Sequence, residues 1–259
     1  MQLTYFGANS WLLELGRQRI LVDPWLVGSL VFGNLQWFFK GERRQPIGLG
    51  SFPDNIDLIL LSQGLEDHAH KPTLKQLDKT IPVVGSANAA QVAEELGYTQ
   101  VTKLTPGQTF TLANQVEIRA LPGAPIGLQK ENAYLLKEWE SKATLYYEPH
   151  GFPPSEIKNY APVDVVINPV VNLELPVAGA IIKGKASALQ LAQSLKPQVM
   201  LPTAAGGDVE YEGLVMSLLR TEGSAAELRS QLSKHHLSTQ LIEPQPGEPI
   251  SLPLGSRVA

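Results

Sequence analysis

The sequence predicts an α/β protein in which two mixed β-sheets pack face to face and helices cover the outside. Three observations predict it. The chain opens with short β-rich runs, apolar runs too short for helices then alternate with helix-patterned segments, and the same style recurs in the second half. Its 259 residues, 43% hydrophobic, can bury a sizeable core. With no Ser/Gly linker or low-complexity run, they read as one domain over 1–259 made of two fused β-rich halves, about 1–115 and 116–259.

Element by element, Gln2–Phe6, Trp11–Glu14 and Arg19–Val22 are spaced tightly enough for an antiparallel meander. A long irregular segment follows Pro24 to about Pro53 and carries Trp25, Phe32, Trp37, Phe38 and Phe39. Ile56–Leu61 reads as a strand, Thr73–Leu77 as a short helix and Pro82–Val84 as a strand. Ser86 has the position of an N-cap for a helix over Ala87–Leu96, with strands at Val101–Leu104 and Gln115–Ala120 beyond it. In the second half, Ala133–Lys137 and Thr144–Tyr147 are hairpin-like strands and Val163–Ile167 is a buried one. A helix over Ala186–Leu195, a strand at Val199–Leu201, helical pattern between Glu210 and Lys234 and a strand at Thr239–Ile242 complete the chain before a Pro/Gly-rich tail.

Composition narrows the function classes. A net charge of −4 gives no general attraction to nucleic acid or anionic membranes. The absence of cysteine excludes disulfides, thiolate ligands and a Cys nucleophile. The strand-like start lacks the features of a signal peptide, and the longest apolar stretch, around Val163 to Ile182, is broken by Asp164, Asn168, Pro169, Asn172, Glu174 and Pro176. The expected location is therefore cytoplasmic, with no transmembrane segment. Phosphate-cradling, nucleophile-elbow and dinucleotide fingerprints are missing too.

The richest stretch is Ser62 to His70, S-Q-G-L-E-D-H-A-H, at the end of an apolar strand, where α/β folds build their sites. Its rhythm resembles H-x-H-x-D-H, the metal-binding loop of the metallo-β-lactamase superfamily. Further landmarks in the same order are similar to that superfamily: the opening T-Y-F-G-A-N-S-W-L-L-E-L-G with R-I-L-V-D-P-W at 19–25, Ala120-Leu-Pro-Gly-Ala124, Thr144-Leu-Tyr-Tyr-Glu-Pro-His150, and Lys196-Pro-Gln-Val-Met-Leu-Pro-Thr203. The pattern resembles most the branch containing ascorbate phosphate lactonase, and the S-Q-x-L-x-D-H form is similar to proteins of cyanobacteria and plastids.

The resemblance implies a metallo-β-lactamase-like αβ/βα sandwich and an eroded two-metal site. Gln63, Leu65 and Ala124 stand where the first metal's histidines are expected, and Thr203 or Ala204 where the last histidine is. Asp67, His68 and Glu148 remain for one divalent ion, zinc or manganese. Without a metal, Asp67 and His68 make a carboxylate–imidazole hydrogen bond that steadies the loop. His150, in a rigid turn, is the candidate replacement ligand or acid–base group. The resemblance gives Asp23 the role of orienting the loop, compatible with an Asx-type turn before Pro24. Asn9 and Gln63 are cleft candidates, Asn9 with a plain turn role as its alternative.

Remaining candidates have simpler readings. His70 is a solvent-facing loop residue or a helix-entry contact, and His235 and His236 are partners of a helix C-terminus. Asp208 is a helix N-cap or a substitute carboxylate. Lys183 and Lys185 are solvated or meet an anion. The aromatic segment fills a core or forms a flap, and its run through Trp37 and Phe38 suits a small-molecule ligand or a protein partner along 25–44. Two functions follow: a non-catalytic or weakly active binding member of the family, or a one-metal hydrolase of a small ester, lactone or phosphoester using Asp67, His68 and Glu148.

Overall fold

The computed structural model describes residues 1–44, 52–126, 129–176, 179–204, 209–252 and 254–255. Asp208 lies outside them. Among the described residues, two mixed seven-stranded sheets form the predicted sandwich.

The first sheet opens with the expected meander, β1 (Gln2–Gly7), β2 (Ser10–Leu15) and β3 (Gln18–Val22). Two short strands, β4 (Leu30–Val31) and β5 (Lys40–Arg43), interrupt the segment read as irregular. β6 (Leu58–Leu61) then lies parallel to β3, and β7 (Val83–Gly85) and β8 (Val101–Lys103) continue the parallel run. Helices α1 (Lys71–Gln76) and α2 (Ala87–Glu95) make the crossovers. Ser86 has the extended backbone of an N-cap, but its hydroxyl bonds Asn88 Oδ1 at 2.6 Å instead of a helix N–H.

The second sheet runs antiparallel through β9 (Thr109–Leu112), β10 (Val116–Ile126), β11 (Gln129–Glu138) and β12 (Thr144–Tyr147). β13 (Val165–Asn168) joins β12 in parallel, and a hairpin of β14 (Asn172–Leu175) and β15 (Gly179–Lys183) leads into α3 (Gly184–Leu195). β16 (Val199–Pro202) lies parallel to β13. The helical pattern between Glu210 and Lys234 resolves into β17 (Val209–Glu212), α4 (Leu214–Leu218), β18 (Arg220–Glu222) and α5 (Ala225–Lys234). Gly213 and Gly223, at φ of 112° and 100°, break that pattern, because such a backbone cannot continue a helix. β19 (Gln240–Leu241) extends the second sheet beside β16, and β20 (Pro249–Ser251) edges the first beside β1.

Period-2 alternation explains the layers. Leu58 and Leu60 face the central core with Trp11, Leu13, Leu145, Tyr147, Val165, Ile167 and Leu201. Their neighbours Ile59 and Leu61 face outward beneath Leu74, Ala89 and Ala93 of α1 and α2. On the other sheet Tyr146, Val166 and Met200 face outward beneath Leu191, Leu195 and Leu228 of α3 and α5. Hydrogen bonds stitch the two sheets at one end of the sandwich: Asn132 N–H to Ser62 O at 3.0 Å, Tyr134 O–H to Leu61 O at 2.7 Å, and Ala204 N–H to Ala8 O at 2.8 Å. Among the described residues no helix is long and apolar enough to cross a membrane.

Most rings of the aromatic segment do fill a core. Trp25 is fully buried under the Arg43 guanidinium, and Phe39 stacks near Phe32 and Tyr211. Trp37 and Phe38 instead face solvent, 65% and 39% exposed.

Candidate metal centre

The C-terminal ends of parallel strands converge at the stitched end of the sandwich. β3 delivers Asp23, β6 delivers Ser62 and the loop to His70, β12 delivers Glu148 and His150, and β16 delivers Thr203. The loop after β6 is held by backbone N–H groups of His68 and Ala69, both bonding Leu65 O. Gly64 lets it pass α2, since a Cβ there would come within 2.8 Å of Asn88 O. Gly151, at φ 79°, makes the turn after His150 in a backbone form that glycine adopts without penalty.

Asp23 is the buried hub. Its Oδ1 accepts Ser62 N–H at 2.7 Å. Its Oδ2 accepts Ser62 Oγ–H at 2.6 Å and Tyr147 O–H at 2.7 Å, and lies 2.7 Å from His68 Nδ1. Asp67 approaches the other face of that imidazole, Oδ2 to Nε2 at 3.0 Å, so the carboxylate–imidazole pair expected of this loop is present. The second imidazole repeats the arrangement: His150 Nδ1 lies 2.7 Å from Oε2 of buried Glu131. The two rings stand 5.0 Å apart, and one ligand atom each from Asp67, His68 and His150 can be chosen so that all lie within 4.8 Å of one another.

This donor set fits one divalent cation. Two imidazoles and a carboxylate are borderline ligands suited to zinc or manganese. Each ring gives Nδ1 to a buried carboxylate, the arrangement that fixes a metal-binding histidine. Asp67 Oδ1 is buried without a hydrogen-bond partner, as is Gln63 Oε1. The electrostatics agree. Burial disfavours the charged form of His68, yet Asp67 and Asp23 hold its pKa well above the usual imidazole range. Burial likewise opposes the upward pull of Glu131 on His150, which nonetheless rises. Asp67 is held below its usual range by the His68 charge despite its own burial.

Glu148 takes a different place from the one expected of it. Its Oε1 accepts the N–H of His150 at 3.2 Å and its Oε2 that of Phe152 at 2.7 Å, so it braces the turn, and His150 is the third group of the cluster. Burial, then the nearby Glu131 charge, pushes the Glu148 carboxyl up to about 7. Asn9 is buried, with Nδ2 3.4 Å from His68 Nε2 and Oδ1 accepting Thr203 Oγ–H at 3.2 Å. Gln63 is buried, Leu65 is 42% exposed, and Ala124 is buried. Ala204 follows Thr203 at φ 54°. Trp37 and Phe38 sit beside α4, which bonds their carbonyls through Leu214 and Val215 N–H. Lys183 lies over the Phe152 ring, Lys185 pairs with Glu227 at 3.1 Å, and His235 caps α5.

His70 is not solvent-facing. It is 1% exposed and caps α1, with Nδ1 2.9 Å from Thr73 Oγ1 and Nε2–H directed at Ser29 O, 3.3 Å away. Burial pushes its pKa down to about 4. As pH falls from about 6.5 to about 4, the unfolded chain takes up a proton that the folded one refuses, which removes up to ~3 kcal/mol of stability. His70→Asn keeps a capping residue without the titration. Its urea-unfolding profile should be flatter than wild type across that window, while the opposing contribution of Glu148, whose carboxyl is raised to about 7, is common to both proteins. Parallel profiles would exclude the assignment.

Glu131, Ser62 and Tyr147 received no role from the sequence. Glu131 lies two residues before the run read as a strand at Ala133, so extending the alternation backwards would have placed an acid among buried positions.

Residues 2–204 match a family described as the beta-lactamase superfamily domain. A UPF0173 metal-dependent hydrolase from Roseobacter denitrificans is 27% identical over 150 residues, 53% of this chain, and the chain spans only 58% of that relative's length. Among solved structures, an isothiocyanate hydrolase from Delia radicum gut bacteria aligns with a TM-score of 0.68 at 14% identity, covering 97% of this chain and 99% of that one. A metallo hydrolase from the archaeon Ignicoccus hospitalis gives 0.66 at 16% identity, covering 96% and 97%. A diiron β-hydroxylase from Streptomyces venezuelae gives 0.67 at 16% identity, covering 97% of this chain and 54% of that one. The fold thus carries hydrolysis and hydroxylation alike, and chemistry must be argued from the site.

Proposed function

The chain belongs to the β-lactamase superfamily, and from that premise we propose that it is a one-ion hydrolase of a small ester, lactone or phosphoester. The carrying observation is the convergence of His68 and His150, each bonded through Nδ1 to a buried carboxylate, on Asp67. A divalent ion held by Asp67, His68 and His150 would supply Lewis-acid polarisation of a carbonyl or phosphoryl group. Around that position, Asn9 and Gln63 offer amide groups that orient a substrate, and the free acceptor on Gln63 Oε1 suits a substrate hydroxyl or amide. Glu148 keeps His150 in place through the turn it braces. Leu65, exposed on the loop, gives an apolar rim.

One observation favours a second reading, a scaffold that binds a ligand or a protein partner without turnover. Positions 63, 65 and 124 supply no imidazole for a second ion. Elemental analysis of untagged protein distinguishes the readings. About one co-purified ion per chain is expected in wild type and little in His150→Ala or Asp67→Ala, whose weaker residual affinity shows only on titration, with lactone or phosphoester hydrolysis lost in step. Binding of the ion without hydrolysis across those classes would support the scaffold, and no uptake of zinc or manganese would overturn the one-ion reading.

A further inference from the structure

We propose that Glu131 is a positioning residue: it holds the His150 imidazole by Nδ1 so that Nε2 is presented to the Asp67–His68 cluster. The ligand role this gives His150 rests on the one-ion reading, but the hold on the ring does not.

The backbone places Glu131 there. β10 and β11 pair regularly from Val116 with Glu138 to Pro122 with Asn132, and again at Pro125 with Lys130. Between those pairs the register shifts, leaving Gly123 and Ala124 opposite Glu131 alone. Such a bulge bends its strand and re-aims the residues around it. The strands approach closely here, since a Cβ on Gly123 would meet Glu131 O at 3.0 Å. The Glu131 side chain is wholly buried. One oxygen, Oε2, takes His150 Nδ1 at 2.7 Å. The other, Oε1, has no hydrogen-bond partner and stands 3.9 Å from His68 Nδ1.

A buried carboxylate with half its capacity unused is a poor stabilising device. Its geometry suits orientation instead. A neutral histidine has two tautomers, and the hydrogen bond at one nitrogen decides which nitrogen keeps its lone pair. With Nδ1–H committed to Glu131, Nε2 keeps it, as His68 is arranged by Asp23 on the facing sheet. The two imidazoles are thereby set by independent carboxylates from opposite sheets.

The test is nitrogen-15 NMR of the imidazoles in metal-free protein, with the pH raised until the His150 shifts stop changing and the ring is neutral, joined to zinc titration. Wild type should show His150 as the Nδ1–H tautomer. Glu131→Ala should shift it towards Nε2–H and weaken zinc ~10–100-fold. Glu131→Gln, whose carbonyl can still accept from Nδ1–H, should retain most of both and serves if the alanine variant fails to fold. In a His150→Ala background, Glu131→Ala should change the remaining zinc affinity little. An unchanged tautomer in both variants overturns the proposal, as does an equal affinity loss with and without His150. If wild type takes up no zinc but the tautomer shifts, the one-ion reading falls and the positioning of His150 by Glu131 stands.

Discussion

Asp23→Ala should lower the folding free energy by ~3–5 kcal/mol, with the denaturation midpoint falling and the urea slope unchanged. The carboxylate is fully buried and serves Ser62 N–H, Ser62 Oγ, Tyr147 O–H and His68 Nδ1 together. Removing it strands each of those buried donors, and the His68 imidazole loses one of the two carboxylates within 3.0 Å of its nitrogens. Leaving buried donors unpaired costs more than a hydrogen bond contributes, because the desolvation is then uncompensated. Tyr147→Phe removes a single donor, leaves the rest of the hub intact and should cost only ~1 kcal/mol. A loss in Asp23→Ala no larger than that of Tyr147→Phe would mean that the carboxylate does not organise the site.

The affinity for zinc should rise with pH, by up to about tenfold per pH unit for each imidazole proton the ion displaces. The sign follows from the neighbours of the ring. Asp67 and Asp23 hold the His68 pKa well above the usual imidazole range, so the ion-free ring keeps its second proton more tightly than a free imidazole does. An ion at Nε2 must displace that proton, and lower pH favours the proton. His150, also raised, adds to the slope. Calorimetry in buffers of different ionisation enthalpy should therefore detect net proton release on zinc binding, larger at lower pH. No release, or affinity independent of pH, would show that neither ring nitrogen is a ligand.

Much of the architecture was legible because it rests on local pattern. Leu58 to Leu61 are apolar at every position, which is what a strand buried on both faces requires, and they do lie between the central core and α1. The interrupted second half was less legible. The apolar spacing of Val215 with Leu218 and Leu219, and of Leu228 with Leu232, suits a helix, and the backbone form of Gly223 splits the run into two. At the site, Asp67 and His68 were readable because they are neighbours in sequence and follow a strand. His150 was readable as a replacement ligand, but that Glu148 would leave the cluster to brace the turn was not, since two residues in one turn differ only in which way the turn aims them. Glu131 was hidden for a related reason: its partner His150 is on another strand, and the pairing depends on a bulge that leaves little trace in a single sequence.

The bonds that join the sheets at the site have a consequence for how the protein breathes. Ala204 N–H crosses from the second sheet to Ala8 O, and Asn132 N–H to Ser62 O. Neither amide can meet solvent by the fraying of one loop, because both belong to a seam that opens only when the two layers part. Their hydrogen exchange should accordingly need an opening close in free energy to global unfolding, with the loop tip at Leu65 and the chain around Trp37 exchanging much sooner. The site is then a rigid seat with a mobile rim: a ligand enters past side chains that yield readily, and meets groups that do not move to receive it.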